Sequence, residues 1–364
     1  MIKRRKTRQM RIGSVKIGGM APVSIQSMTK VPTADVKAVV SQVKRLEQSG
    51  CEIIRFAVKS VEDAHAIRAI KRKIRIPIVA DIHFNYRLAL ESIKSGADKI
   101  RLNPGNIKNK DEISAVVNAA KIAGIPIRIG VNSGSVLTGE QRTRSVRRGS
   151  GSSESSGNRI VDNLVSSAGS YIKLFESLDF HDIILSLKAS DVVSTVDAYR
   201  RISEICDYPL HLGVTAAGSS DSGIVKSAIG IGTLLLDGIG DTIRVSLTAD
   251  PIEEVTAAKR ILEAVGARNF GLEIISCPTC GRCQVDLGKI ARDLERKISA
   301  VKFKLPAKNI RIAVMGCEVN GPGEACEADI GIAFGKDSGT LFRQGKRLKK
   351  ISAKNAVSEL LKLI

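Results

Sequence analysis

The stretch Ile76–Pro104, IPIVADIHFNYRLALESIKSGADKIRLNP, reads as strand, helix and strand in a single unit. Ile76–Asp81 and Lys99–Pro104 are short apolar runs with little alternation, the pattern of strands buried on both faces. The helical pattern between them ends at Gly96, and glycine closes a helix in the left-handed region without a Cβ penalty. Gly50 and Gly124 stand in the same place, after a helical pattern and just before a strand. The helix ahead of Gly50, Asp35–Gln48, carries Val36, Val39, Val40, Val43 and Leu46 on one stripe. The helix ahead of Gly124, Asp111–Ala123, carries Ile113, Val116, Val117 and Ala120.

Outward from this unit, further strands are expected at Ser24–Met28, Ile53–Val58, Ile125–Val131, Asp182–Lys188, Pro209–Thr215 and Asp241–Leu247. Eight strands with helical crossovers in roughly 250 residues predict a (β/α)8 TIM barrel. The competing α/β arrangement is an open doubly wound sheet, but no G-x-G-x-x-G follows the first strand. The long interval between Ile125 and Asp182 contains a Ser/Gly-rich tract, Arg147–Arg159 (RRGSGSSESSGNR), expected to form a mobile surface loop. No nucleotide P-loop is present. After Val265 the character changes. Residues 266–364 are expected to form a second, small α/β domain, with the barrel occupying 1–265. The second domain begins with SCPTCGRC at Ser276, followed by a helix at Asp286–Val301 and a strand at Ile310–Met315. A Gly-rich stretch, GCEVNGPGEACEADIGIAFG, and a last helix near Ser352–Leu363 complete it.

A chain of 364 residues with 43% hydrophobic content can build a large core. Its formal charge of +20 attracts anions such as phosphorylated substrates, nucleic acids or acidic proteins. Aromatics make up only 3% and Trp is absent, which argues against base-stacking platforms. No secretory signal or membrane-spanning stretch is recognisable, so a cytoplasmic protein is expected. Seven cysteines in that reducing compartment suggest metal or redox chemistry rather than a disulfide frame.

Barrel enzymes work at the C-terminal ends of their strands. Polar and cationic residues recur there: Arg55 in strand two, His83 just past strand three, and Arg101 and Asn103 in strand four. Arg128 and Asn132 belong to strand five, Lys188 ends strand six, and Arg244 and Ser246 fall in strand eight. Lone buried cations are expensive, so the set calls for an anion, and guanidinium forks match phosphate oxygens in pairs. A small diphosphate or bisphosphate fits. The bland alternative pairs these cations with barrel carboxylates, for which Asp81 and Asp241 are the candidates.

Cys277, Cys280 and Cys283 form C-x-x-C-x-x-C, with Cys317 downstream. Soft thiolates suit zinc or an iron–sulfur cluster. The run matches bacterial ferredoxin spacing, whereas a zinc ribbon prefers a second, separate C-x-x-C. Cys51 and Cys206 lie in ordinary elements and read as inert. A basic nucleic-acid-binding protein with a structural zinc module is the alternative from another class.

PVSIQSMT, IIRFAV, ADIHFNYRLA, KIRLNPGN, IRIGVNSGS, ILSLKASD, PLHLGVT, IGTLLLDGIGDTIRVSLT, SCPTCGR and MGCEVNGPGEA run from Pro22 to Ala325. Over these stretches the chain resembles the bacterial 4-hydroxy-3-methylbut-2-enyl diphosphate synthase family of the non-mevalonate isoprenoid pathway. The resemblance implies a TIM barrel followed by a [4Fe–4S] domain, with Cys277, Cys280, Cys317 and Glu324 as cluster ligands. It implies reductive opening of 2-C-methyl-D-erythritol 2,4-cyclodiphosphate, with flavodoxin or ferredoxin as electron donor, in a homodimer without nucleic acid or membrane. It maps substrate contacts onto Arg55, His83, Arg101, Asn103, Arg128, Asn132, Lys188, Arg244 and Ser246. Three features depart from the family's pattern, one being the Ser/Gly tract Arg147–Arg159, which is unlike the usual segment. Ala216 stands where a glutamate, the candidate acid/base, is usual, leaving the catalytic proton donor unassigned. Cys283 stands where a non-cysteine residue is usual, and adds a possible competing ligand.

Overall fold

A computed structural model of the chain describes residues 2–103, 107, 109–132, 153–189, 191–215, 218–300, 310–336 and 338–364. Two compact units divide it, Met1–Arg268 and Asn269–Ile364.

The first unit opens with an antiparallel pair, β1 (Met10–Ile12) and β2 (Val15–Ile17). The barrel strands are β3 (Ser24–Met28), β4 (Ile53–Ala57), β5 (Ile78–Ile82), β6 (Lys99–Leu102), β7 (Ile127–Asn132), β8 (Ile183–Lys188), β9 (His211–Leu212) and β10 (Thr242–Ile243). They pair in parallel in the order β8-β7-β6-β5-β4-β3-β10-β9, and a bridge between Leu185 and Leu210 joins β8 to β9. The eight-stranded barrel expected from the sequence is therefore formed. The crossover helices are α1 (Val36–Ser49), α2 (Val61–Lys71), α3 (Tyr86–Lys94), α4 (Lys110–Ala123), α5 (Ser153–Ser177), α6 (Val192–Ile205), α7 (Ser220–Leu236) and α8 (Pro251–Ala264).

Local signals explain the element ends. Asp35 caps α1 by accepting from the Ala38 amide, and Val39, Val40, Val43 and Leu46 bury its apolar stripe. Gly50 ends the helix at φ 97°, and its amide donates to Glu47 and Leu46 carbonyls. Strands β5 and β7 begin two residues later than expected, directly after Pro77 and Pro126, which have no N–H to give to a ladder.

The Ser/Gly tract is corrected in part. Helix α5 begins at Ser153, so Ser153–Arg159 are helical rather than loop. Residues 133–152 lie outside the described residues. Strands β9 and β10 stop well short of the expected Thr215 and Leu247. The Arg244 amide still donates to the Leu212 carbonyl at 3.0 Å, so the chain continues along its neighbour past the strand end.

One end of the barrel is closed. Met10, Ile12 and Ile17 of the β1–β2 hairpin pack on Ile53, Val79 and Ile184, which lie at the N-terminal ends of β4, β5 and β8. The opposite end, where the strands finish, carries the polar residues.

The second unit is a five-stranded sheet in the order β11-β12-β13-β14-β15. Its strands are β11 (Leu272–Ser276), β12 (Ile310–Met315), β13 (Ile330–Phe334), β14 (Ser338–Arg343) and β15 (Lys346–Ser352). The first three are parallel and the last two turn back antiparallel. Helices α9 (Leu287–Ala300) and α11 (Ala356–Leu363) supply Leu287, Leu294, Ala356 and Leu360 to a core with Ile312, Ile332 and Leu341. The short helix α10 (Gly321–Glu327) contributes Ala325 to a separate cluster with Ala313, Met315 and Phe342.

Candidate active site

Among the described residues, five cations are buried in the barrel: Arg55, Lys99, Arg101, Arg128 and Lys188. They come from β4, β6, β7 and β8, and Arg244 lies half-buried just beyond β10. The acidic side is much thinner. Asp81, on β5, takes Arg101 Nη1 at 3.2 Å, Arg55 Nε at 3.6 Å and His83 Nε2 at 3.5 Å. Burial works to raise the Asp81 pKa, but Arg55, His83, Arg101 and Arg128 together hold it well below the usual carboxylate range.

Asp241, the other expected counter-charge, is placed elsewhere. It accepts from the Leu210 amide at 2.9 Å and the Thr7 hydroxyl at 3.0 Å, and pairs with Arg4 at 3.3 Å. It sits at the beginning of its strand, away from the C-terminal ends, and neutralises none of the strand-end cations. Glu254 is buried on α8, where it accepts from Ser27 Oγ and the Leu247 amide and pairs with Lys30 at 3.4 Å. A carboxylate-paired reading of the cations therefore holds for Arg55 and Arg101 and fails for the rest.

The excess charge is visible in the hydrogen bonding. Arg128 Nε and Nη1, Arg101 Nε and Arg244 Nε are buried without a protein partner. Desolvation pushes the pKa values of Arg101, Arg128, Lys188 and Arg244 downward; nearby cations add to this in each case. Arginine nevertheless stays protonated, so the folded chain holds positive charge that it does not itself offset. Two glycines make room for it, Gly130 within β7 and Gly213 just past β9. A Cβ on Gly130 would stand 2.6 Å from Arg101 Nε, and one on Gly213 would stand 2.9 Å from Lys188 Nζ.

Of the expected site residues, Arg55, Arg101, Arg128 and Asn132 lie on the strands assigned to them and Lys188 ends β8. His83 follows β5 immediately, and its side chain is half exposed. Asn103 falls one residue past β6, and Arg244 and Ser246 fall past β10 rather than within it. Ala216 lies outside the described residues. Sequence reasoning missed the layer beneath. Lys99 Nζ donates to Gln26 Oε1 at 3.4 Å, and fully buried His211 lies 3.4 Å from Thr242 Oγ1. Burial, then Arg128, drives the pKa of both downward. The available signal was a charged residue at the start of an otherwise apolar strand.

Pyrophosphate should stabilise this set. At about a hundredfold excess over its Kd it adds about 2.7 kcal/mol, a Tm increase of roughly 5–10 °C for a domain of this size. Thermal unfolding in matched ionic strength is the measurement, and a shift no larger than that given by chloride counts against an anion site.

In the second unit, Cys277 follows β11 and Cys317 follows β12 by two residues. The Gly316 amide donates to Cys277 Sγ at 3.3 Å, and the Cys283 thiol donates to the Val285 carbonyl at 3.2 Å. A Cβ on Gly316 would come within 2.5 Å of Cys283 Sγ and 3.5 Å of Cys277 Sγ, so both sulfurs crowd that glycine. The amides of Asn320 and Val319 pull the Cys317 thiol pKa below its ordinary value. Sulfur atoms facing backbone amides suit thiolate ligands of an iron–sulfur cluster. Cys280 and Glu324 are exposed. Among the described residues, no three of these side chains converge closely enough to hold an ion.

The fold and site define a parallel-barrel protein with an anion-directed mouth, joined to a cysteine-bearing α/β unit. Residues 7–259 match the GcpE TIM-barrel domain and residues 273–364 the GcpE protein C-terminal domain, so the chain belongs to the GcpE family. It is 52% identical over 361 residues to the 4-hydroxy-3-methylbut-2-en-1-yl diphosphate synthase (flavodoxin) of Clostridium perfringens, covering 99% of both chains. It is 51% identical over 360 residues to the enzyme of the same name from Fusobacterium nucleatum, covering 99% of this chain and 97% of the relative. Among solved structures, dihydropteroate synthase from Stenotrophomonas maltophilia superposes with a TM-score of 0.50 at 14% identity. It covers 72% of this chain and 99% of its own, a likeness in barrel fold alone. No helix among the described residues is long and apolar enough to cross a membrane.

Proposed function

We propose that this chain is an iron–sulfur oxidoreductase of isoprenoid biosynthesis. It reductively opens 2-C-methyl-D-erythritol 2,4-cyclodiphosphate to 4-hydroxy-3-methylbut-2-enyl diphosphate. The observation that carries the reading is the surplus of buried cations over Asp81, the one carboxylate among the described residues that pairs with them, in a barrel whose family relatives bear that enzyme's name.

Arg55, Arg101, Arg128, Lys188 and Arg244 bind the diphosphate, and the unsatisfied N–H groups of Arg101, Arg128 and Arg244 find phosphate oxygens. Asp81 holds Arg55 and Arg101 in place, which keeps their forks from swinging toward solvent. His83, beside Arg101 Nη1 at 3.4 Å, lies at the rim, where it contacts substrate, as do Asn103, Asn132 and Ser246. The low-dielectric walls strengthen each of these contacts as charge accumulates on the leaving diphosphate oxygen.

Cys277, Cys280, Cys317 and Glu324 are the ligand set for a [4Fe–4S] cluster, which when bound supplies single electrons. Three thiolates and one carboxylate leave one iron more weakly committed than four thiolates would. Flavodoxin, named with the relatives, is the electron donor. A homodimer working in the cytoplasm completes the reading.

The test is anaerobic purification with iron and acid-labile sulfide analysis, followed by turnover of the cyclodiphosphate with dithionite. A brown protein that bleaches on reduction and forms the linear diphosphate is expected. Zinc without sulfide, together with no turnover, sinks the proposal.

A further inference from the structure

Among the described residues, the β14–β15 hairpin is the most concentrated basic surface of the second unit. Arg343 through Lys350, RQGKRLKK, are eight consecutive exposed residues with five cations and no acid. Lys349 pairs with Glu359. Among the described residues, Arg343, Lys346, Arg347 and Lys350 have no carboxylate partner. Leu348 stands 47% exposed in their midst.

A structural explanation exists, because edge strands use lysine to discourage pairing with other chains. It accounts for one or two charges and not for their distribution. The opposite edge of the same sheet, β11, carries no cation in Leu272–Ser276, and its one acid, Glu273, pairs with Arg311. The N-terminal basic residues of the first unit differ again, since Arg4, Arg5 and Arg8 are engaged by Asp241, the Tyr208 carbonyl and Asp207.

Position adds the second observation. The hairpin turn lies against α10: a Cβ on Gly345 would be 3.7 Å from the Cys326 carbonyl, and the Gln344 amide donates to Asp329 at 2.9 Å. Helix α10 begins just after Cys317 and carries Glu324 in its first turn. Register places Arg347 opposite Phe342, on the sheet face that packs near α10.

We propose that the β14–β15 hairpin, with Arg343, Lys346, Arg347 and Lys350 around Leu348, is the docking surface for an acidic one-electron carrier protein. Opposite charge steers the encounter, and the apolar leucine gives the contact a centre that water leaves on binding. The inference rests on the redox reading above and locates where electrons arrive.

The holoenzyme and its R347E/K350E and R343Q/K346Q variants decide it, with oxidised flavodoxin as the probe. Kd from titration at low and high salt is expected to weaken by about tenfold or more in the charge-reversed variant and less in the neutralised one. The salt dependence should flatten, while dithionite-driven turnover and circular dichroism stay unchanged. An unchanged Kd overturns the proposal, as does tighter binding of a random-sequence oligonucleotide than of flavodoxin. Absence of dithionite-driven turnover in the unaltered enzyme would instead defeat the assigned reaction, and the titration would still decide the docking surface.

Discussion

Replacing Asp81 by asparagine is expected to cost the anion-free protein about 3–5 kcal/mol, the penalty for stranding buried charge. Arg55, Arg101 and His83 all converge on this carboxylate, and among the described residues no other acid pairs with them. The pH dependence has a definite sign. Because the folded pKa of Asp81 is depressed below the ordinary 3.8, its contribution is complete above that value and is lost as pH falls below it. The stability gap between the native chain and D81N, measured by urea unfolding, should therefore be constant near neutrality and shrink in acid. Pyrophosphate should recover part of the loss, since an anion in the mouth offsets the same cations. A gap under about 1 kcal/mol at neutral pH would mean that solvent, rather than Asp81, screens the arginines.

Replacing Cys317 by serine is expected to abolish the cluster and lower turnover by more than about a hundredfold, beyond what loss of an outer-shell partner costs. The Cys317 sulfur faces the amides of Asn320, Val319 and Gly321, an environment that favours thiolate. Serine presents a hard oxygen that stays protonated at neutral pH and does not replace it. Acid-labile sulfide and visible absorption of anaerobically prepared protein are the readouts. C283S provides the contrast, because Cys283 donates to Val285 instead of facing amides, and it should keep its sulfide. Full sulfide in C317S, or its loss only in C283S, would reassign the ligand set.

The barrel was readable because its strands are buried on both faces and its helices end in glycines that the left-handed conformation requires, as at Gly50 and Gly124. Strand-end cations were readable for the same reason: a charged residue interrupts an apolar run. Where sequence reasoning fell short, tertiary context intervened. Asp241 looked like a partner for the cations, yet as the first residue of its expected strand it belongs to the other end of the barrel. Lys99 similarly begins its strand, where a charge reads as a strand terminus rather than as part of a site. Gly130 and Gly213 carried a signal, since glycine within a strand often marks a close approach, here by Arg101 and Lys188. In the second unit, Ile330–Phe334 was absorbed into a Gly-rich stretch although it forms β13, because Gly331 and its neighbours mask the strand's periodicity.

The hairpin formed by Met10–Ile12 and Val15–Ile17 turns the barrel into a blind well. With an apolar, low-dielectric stopper below, the field of the buried cations is focused toward the solvated rim. A negatively charged visitor is therefore drawn toward the rim, and small anions that settle inside leave by the route they entered.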